Sequence, residues 1–144
     1  MITLRLTRAP AVPLEAETIT PDAFRGRSRA EIERLPVAHG NRTAALGDFF
    51  AVSGEADDTV RVEGDVGSVK HVGRGMTGGR LEIHGRAGMH AGAEMRGGEL
   101  VVHGDAGDWA GAEMRGGVLR VHGDAGHLVG AAYRGSRRGM RGGT

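Results

Sequence analysis

Hydrophobic and polar residues alternate in short runs along the second half of the chain. In Leu81-Glu-Ile-His84 and Leu100-Val-Val-His103, apolar side chains recur at every second position, which is the period of a β-strand. Glycine lies on both sides of each run, and no segment there sustains the period of a helix. The pattern therefore predicts short strands whose Leu, Val and Ile side chains point into a shared interior.

These runs belong to a repeat with a fixed period of 19 residues. The period connects three columns of equivalent residues, which are Met76, Met95 and Met114; Leu81, Leu100 and Leu119; and His84, His103 and His122. Such a period is typical of proteins in which each repeat buries its apolar face only against its neighbours. We therefore predict an all-β fold, a right-handed parallel β-helix with about 19 residues per turn, with the methionines, Ala106 and Ala125 inside it.

Glycine marks the predicted corners of each turn. Corners need a positive φ or a close approach of two backbones, and glycine meets both needs at the lowest cost. The spacing Gly73-x-Gly75-x-x-Gly78 also matches the dinucleotide fingerprint, but a strand follows it where that motif requires a helix, so we reject a nucleotide site. We predict structural roles for Gly73, Gly75, Gly92, Gly97, Gly98, Gly111, Gly116, Gly117 and Gly130.

The N-terminal third has a different pattern. Residues 2–6 alternate apolar and polar positions, which predicts a strand. Ser28 and Glu31 form a capping-box pattern ahead of a short helix that ends before Pro36. We predict that residues 1–58 form a strand-and-helix cap for the repeat.

The repeat occupies residues 59–144 as the second predicted domain. Met140 follows Met114 by 26 residues instead of 19, so the last unit carries an insert, which lies within 131–139. The repeat then stops in mid-turn at Thr144. We expect either that the chain is a fragment or that another protein covers this end.

Composition narrows the classes of function. The 144 residues include no cysteine, which excludes disulfides, thiolate metal sites and iron–sulfur ligation in them. The formal net charge of +1 is too small for a nucleic-acid-binding protein. The start lacks the apolar core of a signal peptide, and no apolar run approaches membrane length. We therefore expect a cytoplasmic protein that binds neither nucleic acid nor membranes.

The histidine column (His84, His103 and His122) could bind a metal or shuttle protons. However, the apolar residues before each histidine alternate inward, so the histidines are predicted to point outward. The chain also lacks a nucleophile elbow, the paired carboxylates of a glycosidase and a His-Glu zinc helix. We therefore predict no metal site, no catalytic residue and no cofactor bound by this chain.

Two features could contact a partner. One is the cluster of Tyr133, Arg134, Arg137, Arg138 and Arg141, which could bind an acidic partner surface or a carrier with a polycarboxylate tail by bidentate Arg–carboxylate contacts. The alternative is a solvated loop. The other is Trp109, which is either an exposed contact or a residue packed at a corner.

The repeat resembles the GxGxG β-helix of glutamate synthase and of the C subunit of formylmethanofuran dehydrogenase. The N-terminal region favours the second, because it is similar to the start of that subunit. The matching segments are Leu14-Glu-Ala-Glu17, Ile19-x-Pro21-Asp-x-Phe24, Glu31-Ile-x-x-Leu-Pro-Val37, Gly40-Asn-Arg42, Leu46-Gly-Asp-Phe-Phe50, and the turn from Gly64-Asp65 through Val69-Lys70 to Gly73-x-Gly75-Met76. Members of that family usually carry further coils.

The resemblance implies a non-catalytic scaffold subunit of an enzyme complex. In methanogens that complex reduces CO2 to a formyl group on methanofuran. The bacterial complex transfers formyl between tetrahydromethanopterin and methanofuran or methylofuran and releases formate; the preference for Arg over Lys favours this version.

The implied partners are hydrolase-type (A), B and formyltransferase-type (D) subunits in a hetero-oligomer, with any metals in those subunits. The alternatives are a glutamate synthase-type domain that helps to fix an ammonia tunnel, and a self-stacking structural solenoid.

Overall fold

Ten strands and three short helical segments make up the computed structural model, which describes residues 1–144. The strands are β1 (Ile2–Leu6), β2 (Leu14–Glu15), β3 (Pro36–His39), β4 (Arg42–Ala45), β5 (Phe50–Gly54), β6 (Thr59–Glu63), β7 (Val69–Lys70), β8 (Arg80–His84), β9 (Glu99–Val102) and β10 (Val118–Val121). The helical segments are α1 (Pro21–Phe24), α2 (Arg29–Glu33) and a 3-10 helix at Leu46–Asp48. None of them has the length and hydropathy of a membrane-crossing helix.

The larger sheet has six strands in the order β10-β9-β8-β6-β1-β5. Its repeat strands pair in parallel, and equivalent residues lie opposite one another: Leu100 is the register partner of both Leu81 and Leu119. At the other end β1 pairs in parallel with β6 but antiparallel with β5. The N-terminal strand therefore extends the ladder of the repeats and makes the sheet mixed.

The smaller sheet has the order β4-β3-β2-β7. Here β2 pairs in parallel with β7, while β3 pairs antiparallel with both β2 and β4. Most of this sheet comes from the N-terminal region, and only β7 comes from the repeats. Elsewhere in the repeats, successive turns are joined by isolated parallel β-bridges. These bridges pair Val66 with Ala87, Ala87 with Ala106, and Ala106 with Ala125.

The prediction of an all-β, right-handed parallel β-helix is wrong. The structure is an α/β fold with two mixed sheets and a few short helices. The 19-residue period correctly placed β8, β9 and β10, but a period cannot report on residues outside it. The antiparallel strands β3, β4 and β5 and both α-helices come from that other part of the chain.

One hydrophobic core of 28 buried residues joins the N-terminal region to the repeats. The inward residues of each strand line it, and Met76, Met95 and Met114 fill it as predicted, each with at most 1% exposure. Ala106 is buried, but Ala125 is exposed, contrary to prediction, because no later turn of the chain packs against it. This core spans the predicted boundary between residues 1–58 and 59–144. The division into two domains stays a prediction.

Local sequence signals account for the two short helices. Thr20 caps α1 by accepting a hydrogen bond from the Ala23 N–H, with Pro21 as the first helical residue. The predicted capping box of α2 is confirmed, because the Ser28 hydroxyl accepts from the Glu31 N–H and the Glu31 carboxylate accepts from the Ser28 N–H. These caps hold the helices against the core through Phe24 and Ile32.

Candidate interaction surface

The histidine column lies on the outer face of the larger sheet, as the alternation predicts. The rings of His84 and His103 stack with centroids 4.3 Å apart, and those of His103 and His122 with centroids 5.2 Å apart. Ile83 and Val102, which precede the first two histidines, are fully buried. The column is thus fixed by the parallel register of the strands that carry it.

Acidic and basic side chains alternate beside the histidine column. Arg80 Nη2 lies 3.0 Å from Glu82 Oε1, and Arg80 Nη1 lies 3.0 Å from Glu99 Oε1. Arg120 Nε is 3.5 Å from the same Glu99 oxygen. The hydrogen bond from Arg80 lowers the pKa of Glu82, so this carboxylate stays ionised. The charges of this face are therefore largely paired within the chain.

Glu82, His84 and His103 present ligand atoms that all lie within 4.8 Å of one another. Each imidazole lone pair lies in its own ring plane, and the planes of the two histidines are only 19° from parallel. Two such lone pairs cannot both point at one ion between the rings, whereas zinc requires convergent ligands. Glu82 is also held by Arg80. The arrangement thus does not fit a metal ion without rotation of the rings.

A second column of rings runs along a corner of the repeats. His71 stacks on His90 with centroids 4.7 Å apart, and His90 stacks on Trp109 with centroids 6.0 Å apart. All three occupy the left-handed region, with φ of 67°, 64° and 65°. Burial lowers the pKa of both histidines, so the neutral rings are favoured. Trp109 therefore packs within a corner stack.

The insert in the last repeat folds back onto this corner column. The Tyr133 ring lies 5.3 Å from the Trp109 ring, and its hydroxyl is 2.9 Å from Nδ1 of His90. Glu113 accepts hydrogen bonds from the Tyr133 N–H and the Ser136 hydroxyl. Of the predicted contact cluster, Tyr133 is thus half-buried against the repeats. Its other members are exposed, namely Arg134, Arg137, Arg138 and Arg141.

A column of arginines occupies one equivalent position in three successive turns. The backbone N–H groups of Arg96, Arg115 and Arg141 donate to the carbonyls of Met76, Met95 and Met114 at 2.9, 2.8 and 2.8 Å. All three arginines are exposed. Sequence reasoning missed this arginine column because the insert moves Arg141 out of the 19-residue period. The recurrence of Met-Arg-Gly-Gly was the signal that could have revealed it.

A groove of about 360 Å³ runs beside the arginine column. Its lining residues are Glu17, Arg74, Gly75, Glu94, Arg96 and Arg115. Within it, Arg74 Nε lies 2.8 Å from Glu94 Oε2, and Arg74 Nη1 lies 3.3 Å from Glu17 Oε2. The hydrogen bond to Glu94 raises the pKa of Arg74. The two carboxylates of the groove are therefore already engaged by Arg74.

The glycines singled out from the sequence fall into two groups. Gly73, Gly75, Gly92, Gly98, Gly111, Gly117 and Gly130 have positive φ, between 64° and 82°. Gly97 and Gly116 instead pass so close to the backbone of the preceding turn that a Cβ would collide with Thr77 and Arg96, respectively. Their structural role remains a prediction that substitutions can test.

Comparison with known proteins identifies the class to which the chain is related. Over 85 residues (56% of the chain), it is 48% identical to the C subunit of the tungsten-containing formylmethanofuran dehydrogenase 2 of Methanothermobacter thermautotrophicus. Over 87 residues, it is 49% identical to the C subunit of the molybdenum-containing formylmethanofuran dehydrogenase 1 of Methanosarcina barkeri. The chain is thus homologous to the C subunit of formylmethanofuran dehydrogenase, and the resemblance inferred from its sequence is confirmed.

A solved structure extends the relationship to the whole chain. A chain of the formyltransferase/hydrolase complex (FhcABCD) from Methylorubrum extorquens, crystallised with methylofuran, superposes with a TM-score of 0.92 at 32% identity over 98% of this chain. The match covers 53% of that chain, and 32% and 29% of the two curated relatives. No family model matches the chain, so membership of the wider GxGxG family stays a prediction.

Proposed function

We propose that this chain is a non-catalytic scaffold subunit of a complex like formylmethanofuran dehydrogenase, and more specifically like the bacterial formyltransferase/hydrolase complex. In such a complex a formyl group passes between tetrahydromethanopterin and methanofuran or methylofuran, and formate is released. The partners are hydrolase-type, B-type and formyltransferase-type subunits, which hold the chemistry and any metals.

The observation that carries this proposal is the superposition on a chain of the FhcABCD complex. It covers 98% of this chain at 32% identity, so both the repeats and the N-terminal region contribute to it. The archaeal proteins match over only 56% and 57% of the chain. Both kinds of match support the assignment to a C-type subunit, and the preference for Arg over Lys is the ground for the bacterial version.

The arrangement of side chains supports an architectural role. The outer face of the larger sheet presents the stacked histidine column, and the carboxylates beside it are paired with arginines. Flat, rigid ladders of this kind hold bound subunits at fixed separations. A carrier tethered between two such sites gains from the arrangement, because tethering raises its effective concentration at each site.

The test of assembly is affinity purification of the tagged chain from its own cells, followed by mass spectrometry of the intact assembly. We expect stoichiometric recovery with a hydrolase-type and a formyltransferase-type subunit. Recovery of the chain alone, or only with copies of itself, would contradict the proposal and favour a self-stacking protein.

The non-catalytic part of the proposal needs a second measurement. Replacing His84 and His103 together by alanine removes the imidazoles best placed for proton transfer on the outer face. We expect the assembled complex to release formate at the wild-type rate. A complex that keeps its subunits but loses turnover would place catalysis on this chain.

A further inference from the structure

The arginine column brings like charges together, and none of its members forms an ion pair within the chain. Turns stacked in parallel register are about 4.8 Å apart, so Arg96, Arg115 and Arg141 project from neighbouring levels of one surface. Like charges on neighbouring rungs repel each other. Three such positions in succession therefore form a concentrated positive stripe.

Arginines at other positions of the repeats, outside the insert, have acidic partners. Arg74 pairs with Glu94, Arg80 with Glu82 and Glu99, Arg86 with Asp65, and Arg120 with Glu99. None of the ion pairs involves Arg96, Arg115 or Arg141. The lack of internal pairing is thus a property of this column and not of the repeat in general.

The acidic groups nearest the column are already engaged. Glu94 and Glu17 pair with Arg74 inside the groove. Glu113, which is two residues before Arg115, accepts hydrogen bonds from the insert at Tyr133 and Ser136. The guanidinium groups of Arg96 and Arg115 therefore line the groove with their hydrogen-bond donors free for an external acceptor.

The insert enlarges the same positive surface. Glu113 ties it down beside Arg115, and Arg141 follows directly after it as the last member of the column. Arg134, Arg137 and Arg138 on the insert are exposed and have no ion pair within the chain. Guanidinium groups arranged in this way suit carboxylates, which they bind by paired, charge-assisted hydrogen bonds.

We propose that the arginine column and the adjoining groove form the docking surface for a carboxylate-rich segment of a partner subunit. This inference rests on the proposed function, because it names the surface of this chain through which such a complex assembles. Association then offsets the repulsion within the column by supplying acidic partners for arginines that form no ion pair within the chain.

The test is a charge reversal in the full chain, purified with its complex from its own cells. In the variant Arg96→Glu with Arg115→Glu, the surface would repel an acidic segment, and we expect recovery of partner subunits to fall at least about tenfold. The matched control is Arg29→Glu with Arg42→Glu. It changes the net charge equally at two exposed, unpaired arginines outside the column, and it should recover partners as the wild type does.

The possible outcomes separate this inference from the proposed function. If the wild type assembles and the column variant retains its partners, or if the control loses them equally, the docking surface is wrong while the scaffold role stands. If the wild-type chain recovers no partner, both fail. The variant Arg96→Gln with Arg115→Gln guards against misfolding, because it should weaken partner recovery while melting at or above the wild-type temperature.

Discussion

The hydroxyl oxygen of Tyr133 lies 2.9 Å from Nδ1 of His90, although 43 residues separate the two along the chain. This contact joins the insert of the last repeat to a corner stack that begins three turns earlier, at His71. It also explains why the insert has a defined position while its arginines remain exposed. The packed ring of Tyr133 holds the start of the insert against the repeats, and the exposed arginines follow it in the chain.

Replacing Tyr133 by phenylalanine should loosen the insert without unfolding the chain. The change removes one half-buried hydrogen bond, for which we expect a loss of about 1 kcal/mol in the free energy of unfolding. Trypsin should then cleave faster after Arg134, Arg137 and Arg138. The control is Thr18→Val, which removes a hydroxyl hydrogen bond to Pro36 elsewhere and should leave cleavage in the insert unchanged. Equal cleavage in Tyr133→Phe and wild type would contradict the contact.

The corner histidines should make the fold less stable in acid. Burial lowers the pKa of His71 and His90 below the ordinary value of 6.5, and neighbouring positive charges act in the same direction. The unfolded chain therefore binds protons first as the pH falls. The stabilisation is complete above about pH 6.5 and is lost as the pH falls from there through the lower pKa values of the folded chain.

This pH dependence can be measured by urea denaturation between about pH 7.5 and about pH 5. The variant His71→Asn with His90→Asn keeps residues that tolerate the left-handed region. It should lose less stability than the wild type over the same interval. The control, His127→Asn at an exposed position, should follow the wild-type curve. A double variant with the wild-type slope would show that other groups cause the acid sensitivity.

The methionine column allows the same substitution to be compared in two environments. Met95 is completely buried, whereas Met140, at the equivalent position of the last repeat, is 43% exposed. Met95→Ala leaves a cavity in the core and should lower the free energy of unfolding by about 2–5 kcal/mol. Met140→Ala should change it by less than about 0.5 kcal/mol. Thermal or urea denaturation would reveal similar losses if the two positions were equally packed.

Two corner glycines should differ in their tolerance of side chains. At Gly98, with φ of 79°, an added Cβ would lie 2.6 Å from the backbone oxygen of Gly79. Gly98→Ala should therefore lower the free energy of unfolding by more than the roughly 1–2 kcal/mol that the left-handed conformation alone costs alanine. At Gly75 nothing lies within 4 Å of the added Cβ. The next two turns carry glutamates in the same conformation, namely Glu94 and Glu113.

The matched variant at the open corner is therefore Gly75→Asn. It should lower the free energy of unfolding by no more than about 1 kcal/mol, because asparagine tolerates the left-handed backbone conformation. Comparison of the two melting temperatures measures the steric difference directly. If both substitutions destabilised the fold equally, positive φ rather than close backbone approach would govern these corners.

The sequence predicted which side chains of the repeats face outward, but it could not predict which of them lie together. Alternation placed the histidine column outside and Leu81 and Leu100 inside, because a strand turns successive side chains to opposite faces. It could not show that Tyr133 packs on His90, since that contact depends on how an insert folds back. It also missed the arginine column, because the insert disrupts the spacing from which columns are recognised.

The sequence by itself determined the positions of β8, β9 and β10, the inward leucines and outward histidines of the repeats, the α2 cap and the relationship to the C subunit of formylmethanofuran dehydrogenase. These features depend on local periodicity and on short motifs. Only the tertiary structure decided the fold class, because the antiparallel strands and helices of the N-terminal region join the repeats through contacts that are distant in sequence. For the same reason, only the structure distinguished arginines with acidic neighbours from those without them.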